Sequence, residues 1–194
     1  MDKRYQRTQR ALTKAMLDLI GEKAWDDITI ELIVNRADIA RKTFYAHYEN
    51  KQQLLWVSLL SHFQEIEETM GELNPDTLLT DSKPLTYAVF KHVSEFQAFY
   101  CSMLLESADK TFSNQLMDYL SAASYQRHAP LRELAPFMTV PPELISSTLS
   151  GALIGALRWW LRSDMGVSPE EMAYQFSQLV APGVLQSMGL DEEH

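Results

Sequence analysis

Apolar residues recur along this chain at spacings of three and four, and nowhere is an alternation sustained long enough to make a strand. Ala11, Leu12, Ala15, Met16, Leu19 and Ile20 form one apolar face and predict a helix over about residues 5–22. Thr29 stands as N-cap to a short helix over 29–36, with Leu32 and Ile33 facing inward. "ADI" at 37–39 reads as a tight turn, because Asp38 tolerates a left-handed backbone. A second short helix follows at 40–47, and Phe44 and Tyr48 read as its core side. Asn50 caps a long helix running to Gly71, and Gln53 is spaced to reach back in a capping box. Residues 74–84 read as a connector, with Pro84 in the first turn of the next helix.

Farther on, the apolar positions Tyr87, Phe90, Val93, Phe96, Phe99, Tyr100, Met103 and Leu104 predict two helices that break near 94–96. Phe112, Leu116, Met117 and Leu120 mark another, and the Pro-rich segment 128–142 reads as a loop. The most apolar helix covers 143–163, and Ser168, Pro169 and Glu171 start a last one that ends near 188. The sum is an all-α chain of about nine helices without an internal repeat. Two domains are expected, residues 1–56 and residues 57–194.

Composition narrows the class. "LISSTLSGALIGALRWWL" at 144–161 is barely long enough to span a bilayer, and it carries four Ser/Thr and Arg158. It therefore reads as a buried helix of a protein with no membrane partner. The charged start "MDKRYQRTQR" has no apolar stretch behind it, so it is not a secretory signal, and a cytoplasmic location follows. Cys101 is alone, which excludes an intrachain disulfide and a cysteine metal cluster. Neither metal-ligand spacing, nor a phosphate-cradling glycine loop, nor a nucleophile motif is present, so no metal or other cofactor is expected and the chain does not read as an enzyme.

Charge divides the chain. Its total is −9, but residues 1–55 carry ten Lys/Arg against eight Asp/Glu, whereas the rest carries seven against eighteen. Lys3, Arg4, Arg7, Arg10 and Lys14 crowd the first fourteen residues beside a single Asp. An N-terminal part that meets a polyanion, joined to a C-terminal part that does not, accounts for this asymmetry.

The short helices at 29–36 and 40–47, joined by three residues, have the layout of a helix-turn-helix, whose second helix enters a major groove of double-stranded DNA. Arg41, Lys42 and Thr43 occupy the end of that helix that meets base edges. Tyr45 and His47 stand where a hydroxyl and an imidazole donate to phosphate. Lys51 opens the next helix, so its ammonium and the free amides of that helix start converge on one anion.

In order and spacing, "T-IELIVNRADIARKTFYAHYENKQQLL" resembles the DNA-binding domain of the TetR family of transcriptional regulators, over about residues 7–56. By this resemblance Thr29, Tyr45, His47 and Lys51 are phosphate contacts, and Arg41, Lys42 and Thr43 face bases. Three positions depart from the family's pattern: Ala40 replaces a capping Ser, Asp38 a turn Gly, and Val34 a small residue between the two helices. "SGALIGALRWWLRSDMGVSPEEMAYQFSQL" is similar to the last helices of the branch that includes dihydroxyacetone-kinase regulators, a likeness extending over about 84–182. The resemblance implies a dimeric repressor of a palindromic operator that answers to an unidentified small-molecule effector. The alternative is a member without such a ligand, controlled by a protein partner or constitutive.

Two features of the larger half bear on those roles. Ser147, Gly151 and Gly155 recur every fourth residue and form a groove that another helix can approach, read as a homodimer seam or as a crowded intrachain contact. Phe96, Phe99, Tyr100, Met103, Phe112 and Met117 are candidates to line an effector pocket, with Tyr87, His92 and Trp159 as its polar edges; a packed core is the competing reading.

Overall fold

The computed structural model describes residues 3–69, 83–106, 110–135 and 137–190. These residues form ten α-helices and no strand. They are α1 (Lys3–Glu22), α2 (Ile30–Ala37), α3 (Arg41–His47), α4 (Lys51–Thr69), α5 (Lys83–Glu95), α6 (Gln97–Cys101), α7 (Thr111–Arg127), α8 (Ala129–Leu134), α9 (Pro142–Arg162) and α10 (Pro169–Ser187). A 3₁₀ turn covers Trp25–Asp27, and a π-helical turn, Ser102–Glu106, continues α6. The expected stop at Gly71 and most of the 74–84 connector lie outside the described residues.

The chain divides into two compact units, one made of residues 1–67 and 97–112, the other of 68–96 and 113–194. The first therefore extends beyond residue 56. It takes in most of α4, and it recruits α6, which packs beside α1, together with the π turn. Leu12, Met16, Leu19 and Ile20 of α1, which packs on α2, are buried, as are Ile33, Phe44, Leu54 and Leu55. Two polar contacts fasten this core: Thr13 and Ser58 share a hydroxyl hydrogen bond of 2.8 Å, and the Trp25 amide donates to Ser102 Oγ at 3.3 Å.

In the second unit α5 packs along α10. Phe90 stands edge-on to Trp160 at 5.5 Å and to Phe176 at 6.0 Å, and all three rings are buried. The start of α10 follows its capping signals, with Ser168 Oγ accepting from the Glu171 amide at 3.2 Å. The segment 128–142 is not all loop, contrary to expectation. Pro130 falls in the first turn of α8, where its missing N–H costs nothing, and Leu131 packs with Ile145 and Met188. Burial of Leu131 thus accompanies a short helix, α8, within a Pro-rich stretch.

Candidate nucleic-acid interface

Local chemistry builds the helix-turn-helix. Thr29 Oγ1 accepts from the Leu32 amide at 3.2 Å and fixes the start of α2. The chain then leaves α2 through Asp38, which sits in the left-handed region at φ 54°, and the Ile39 amide closes the turn on Val34 O at 2.9 Å. Val34 is buried at this junction despite its bulk. Ala40 precedes α3 and supplies no side-chain cap. Phe44 and Tyr48 anchor the inner side of α3, and Arg41, Lys42 and Tyr45 are exposed on the other.

The exposed side is organised. Arg41 donates to Tyr45 Oη at 3.4 Å, one helical turn away, and its guanidinium stands 5.7 Å from the Tyr45 ring centre. The hydrogen bond from Arg41 to Tyr45 raises the guanidinium pKa further, so the charge is permanent. Thr43 and His47 face α1, where with Arg4, Tyr5 and Thr8 they line a groove of about 220 Å³. Tyr5 stacks on His47, ring centres 4.2 Å apart and planes 21° from parallel. Beside them the Tyr48 hydroxyl is buried with no hydrogen-bond partner among the described residues, and burial pushes its pKa up to about 12.

Lys51 differs from the expectation of an ammonium aimed at an outside anion. It opens α4, but its ammonium turns inward and donates to Trp25 O at 2.8 Å and Ile28 O at 2.7 Å, above the Trp25 ring at 4.3 Å. The 3₁₀ turn points those two carbonyls at the start of α4, and a charged donor takes both. The capping of α4 is also shifted. Asn50 Oδ1 accepts from the Gln53 amide at 2.8 Å as expected, but Gln53 Oε1 reaches one residue farther back, to the Glu49 amide at 2.6 Å.

Arg4 entered the sequence reading only through the charge of the N-terminal segment, and Tyr5 and Thr8 did not enter it. Their spacing was the available signal, since positions i, i+1 and i+4 bring a cation, a ring and a hydroxyl to neighbouring places on one helix.

The nine pocket candidates are divided between the units. Phe99, Tyr100, Met103 and Phe112 belong to the first, where Phe99 meets Tyr100 at 4.9 Å and Phe112 at 5.7 Å, both edge-on. Tyr100 and Met103 are buried, and burial raises the Tyr100 pKa. In the second unit His92 is buried with its ring 4.8 Å from that of Phe96, Met117 is half-buried and Tyr87 exposed. Trp159, expected at a polar edge of the pocket, is 58% exposed on α9. Leu144, Thr148 and Gly155 are exposed with it, at spacings of four, seven and four residues that define a single helix face.

The small-residue stripe shares that side. Ser147 and Gly155 are exposed and Gly151 is half-buried. A Cβ on Gly155 would meet nothing within 4 Å, and one on Gly151 only the Met117 methyl at 3.8 Å. Among the described residues, no close packing requires these glycines. Among the described residues, no cluster of His, Cys, Asp or Glu is arranged to hold a metal ion, and no helix is long and apolar enough to cross a membrane.

A tri-helical head with a capped α2, a left-handed turn and an exposed basic α3 defines a helix-turn-helix DNA-binding protein. The model for bacterial regulatory proteins of the tetR family matches residues 12–56, and a transcriptional regulator C-terminal region matches residues 80–182. The chain belongs to the TetR family and is a DNA-binding transcriptional regulator; members of this family act as dimers. It is 43% identical over 67 residues to the uncharacterised HTH-type regulator YxbF of Bacillus subtilis, a match covering 34% of this chain and only 18% of that protein. It is 26% identical over 107 residues to the dhaKLM operon transcriptional activator DhaS of Lactococcus lactis, covering 55% of this chain and 53% of that one. A solved TetR-family regulator from Syntrophomonas wolfei shares the fold at TM-score 0.74 and 19% identity, over 97% of this chain and 99% of the other. All three are described as transcriptional regulators.

Proposed function

We propose that the protein is a ligand-responsive, dimeric regulator of the cytoplasm that binds a palindromic operator and represses from it. One observation carries the DNA-reading part: α3 is pinned by Phe44 and Tyr48 and presents Arg41, Lys42 and Tyr45 outward, with Arg41 braced by the Tyr45 hydroxyl. Arg41 and Lys42 read base edges, and Thr43, half-buried beside them, stands at the border between bases and backbone. Two-fold symmetry of the operator requires two such heads, one helical turn of DNA apart at ~34–36 Å.

The homodimer seam in this reading is the outer face of α9, through Ser147, Gly151 and Gly155. The open space above Gly155 and the exposed ring of Trp159 support it, because an isolated chain gains nothing from leaving either uncovered. The effector in this reading is an unidentified small molecule. A tenfold release from DNA requires an effector whose affinities for the two states differ by ~1.4 kcal/mol. A second reading concerns sign alone. The relative DhaS is named an activator, so a reporter fused to the selected operator must decide whether this chain lowers or raises transcription.

Selection of operators from random duplexes tests the core of the proposal. Wild-type protein should yield a palindrome, and Arg41→Ala should relax the preference at one position of each half-site by ~1–3 kcal/mol. An identical consensus from both proteins would remove Arg41 from base reading.

A further inference from the structure

The groove between α1 and α3 has a use that the reading helix alone does not supply. Its α1 residues, Arg4, Tyr5 and Thr8, precede the segment matched by the family model, which begins at residue 12. All five lining residues lie in the first compact unit. The groove holds a guanidinium, a phenol, two threonine hydroxyls and an imidazole, and among the described residues no carboxylate lines it. Within the described residues the side chains of Thr8, Thr43 and His47 have no hydrogen-bond partner. Nδ1 of His47 is sealed from solvent and unpaired, which leaves Nε2 as the atom with which that ring can bond. The Tyr5 stack at 4.2 Å holds the ring plane in place.

A guanidinium together with hydroxyls and an imidazole that can each turn a hydrogen toward one point suits an oxyanion. At about 220 Å³ the hollow is several times the volume of one water, ~30 Å³, and so admits a phosphate with part of its hydration. Lys3, Arg7 and Arg10 flank it on the same helix, so the local charge favours an anion although the whole chain carries −9.

We propose that this groove holds one phosphate of the DNA backbone, making the first two turns of α1 part of the operator interface. Arg4 pairs with the phosphate charge, and Thr8, Thr43 and His47 Nε2 donate to its oxygens. Thr43 then serves the backbone, and base reading falls to Arg41 and Lys42. The inference rests on α3 being the DNA-facing helix, and a wild-type protein that selects no operator would overturn that underlying reading before any variant is compared.

The test is operator binding between about 50 and 200 mM salt, with ethylation interference to locate individual phosphates. Arg4→Ala should flatten the salt slope by ~0.9 per protomer, shrinking the affinity lost over this range about 3.5-fold for each. One phosphate per half-site whose ethylation blocks the wild-type protein should cease to matter in Arg4→Ala. Thr8→Val, which removes a hydroxyl without altering charge or size much, should weaken interference at that same phosphate. Both variants should lower affinity equally on matched and mismatched operators. An unchanged slope together with an unchanged interference pattern in both variants would overturn the proposal. So would Arg4-dependent binding of inorganic phosphate, measured by calorimetry, alongside an unaltered operator slope, since the groove would then be a free-anion site.

Discussion

Two helices of this molecule expose what most helices hide, and they do so in opposite currencies. The α3 helix shows charge and hydrogen-bonding groups, Arg41, Lys42 and Tyr45, on a body of only seven residues that lacks a side-chain cap. The α9 helix shows shape: Leu144, Gly155 and Trp159 on 21 residues long enough to be helical on their own. A surface that reads DNA needs donors aimed at fixed atoms, and its backbone is held by neighbours such as Phe44 in the core. A surface that meets its own copy needs complementarity, so absent side chains matter as much as present ones. The first kind of site can be recognised from residue types. The second shows only when the outward side of the helix is known.

The largest expected effect breaks the outer face of α9. Gly155→Leu adds a side chain where a Cβ meets nothing within the chain, so the folded monomer should tolerate it and gain up to ~1 kcal/mol of helix propensity. In a symmetric seam the same leucine is added twice at one contact, and overpacking costs ~1–3 kcal/mol per site. Dimer dissociation should therefore strengthen by roughly fivefold to 150-fold for each copy, and operator affinity should fall with it. Sedimentation equilibrium and far-UV circular dichroism read this out as a helical monomer. A dimer of undiminished stability would move the seam to another face and leave Trp159 without a partner.

Why one half was more legible than the other follows from particular residues. Thr29, Asp38, Asn50 and Ser168 act through neighbours three or four positions away, so their roles can be written down from sequence. The carbonyls that Lys51 binds belong to residues 23 and 26 positions earlier, and only the folded 3₁₀ turn brings them to α4. Trp159 was named as a polar edge of a pocket from its residue type, and α9 is apolar enough that periodicity does not tell its core face from its exposed one. The α8 helix was missed because its prolines signal a loop unless the burial of Leu131 is known. In the head the chemistry was legible while its addresses were only partly so. Arg41 and Tyr45 lie on the exposed face where they were expected, whereas Arg4, Tyr5 and Thr8 were hidden within a general excess of charge.

The head should fail in a different manner from the seam, and Lys51 exposes the difference. Lys51→Ala leaves the carbonyls of Trp25 and Ile28 without their charged donor and uncovers the Trp25 ring, a loss of about 1–3 kcal/mol. For a chain of this size each kcal/mol lowers Tm by ~2–4 °C, so a fall of several degrees is expected in thermal unfolding. The dimer should persist, and the salt dependence of operator binding by the protein that remains folded should not flatten. A flattened slope with unchanged Tm would return the Lys51 ammonium to the phosphate backbone and make it a contact after all.

The smallest effect concerns the missing cap. Ala40 has extended backbone angles, φ −64° and ψ 139°, as an N-cap residue should, but no side-chain oxygen to accept an amide at the start of α3. Its carbonyl already takes the Thr43 and Phe44 amides at 2.8 and 3.2 Å, so the helix begins correctly and lacks only the side-chain bond. Ala40→Ser should supply that bond and stabilise the head by ~0.5–1 kcal/mol. Because the residue is exposed, no repacking offsets the gain. Amide exchange from Thr43 to His47 should slow by roughly twofold to fivefold, while exchange along α9 and the dimer constant stay as they are. If protection in α3 does not change, the helix is ordered by Phe44 and Tyr48 alone, and its short length carries no penalty that a cap can relieve.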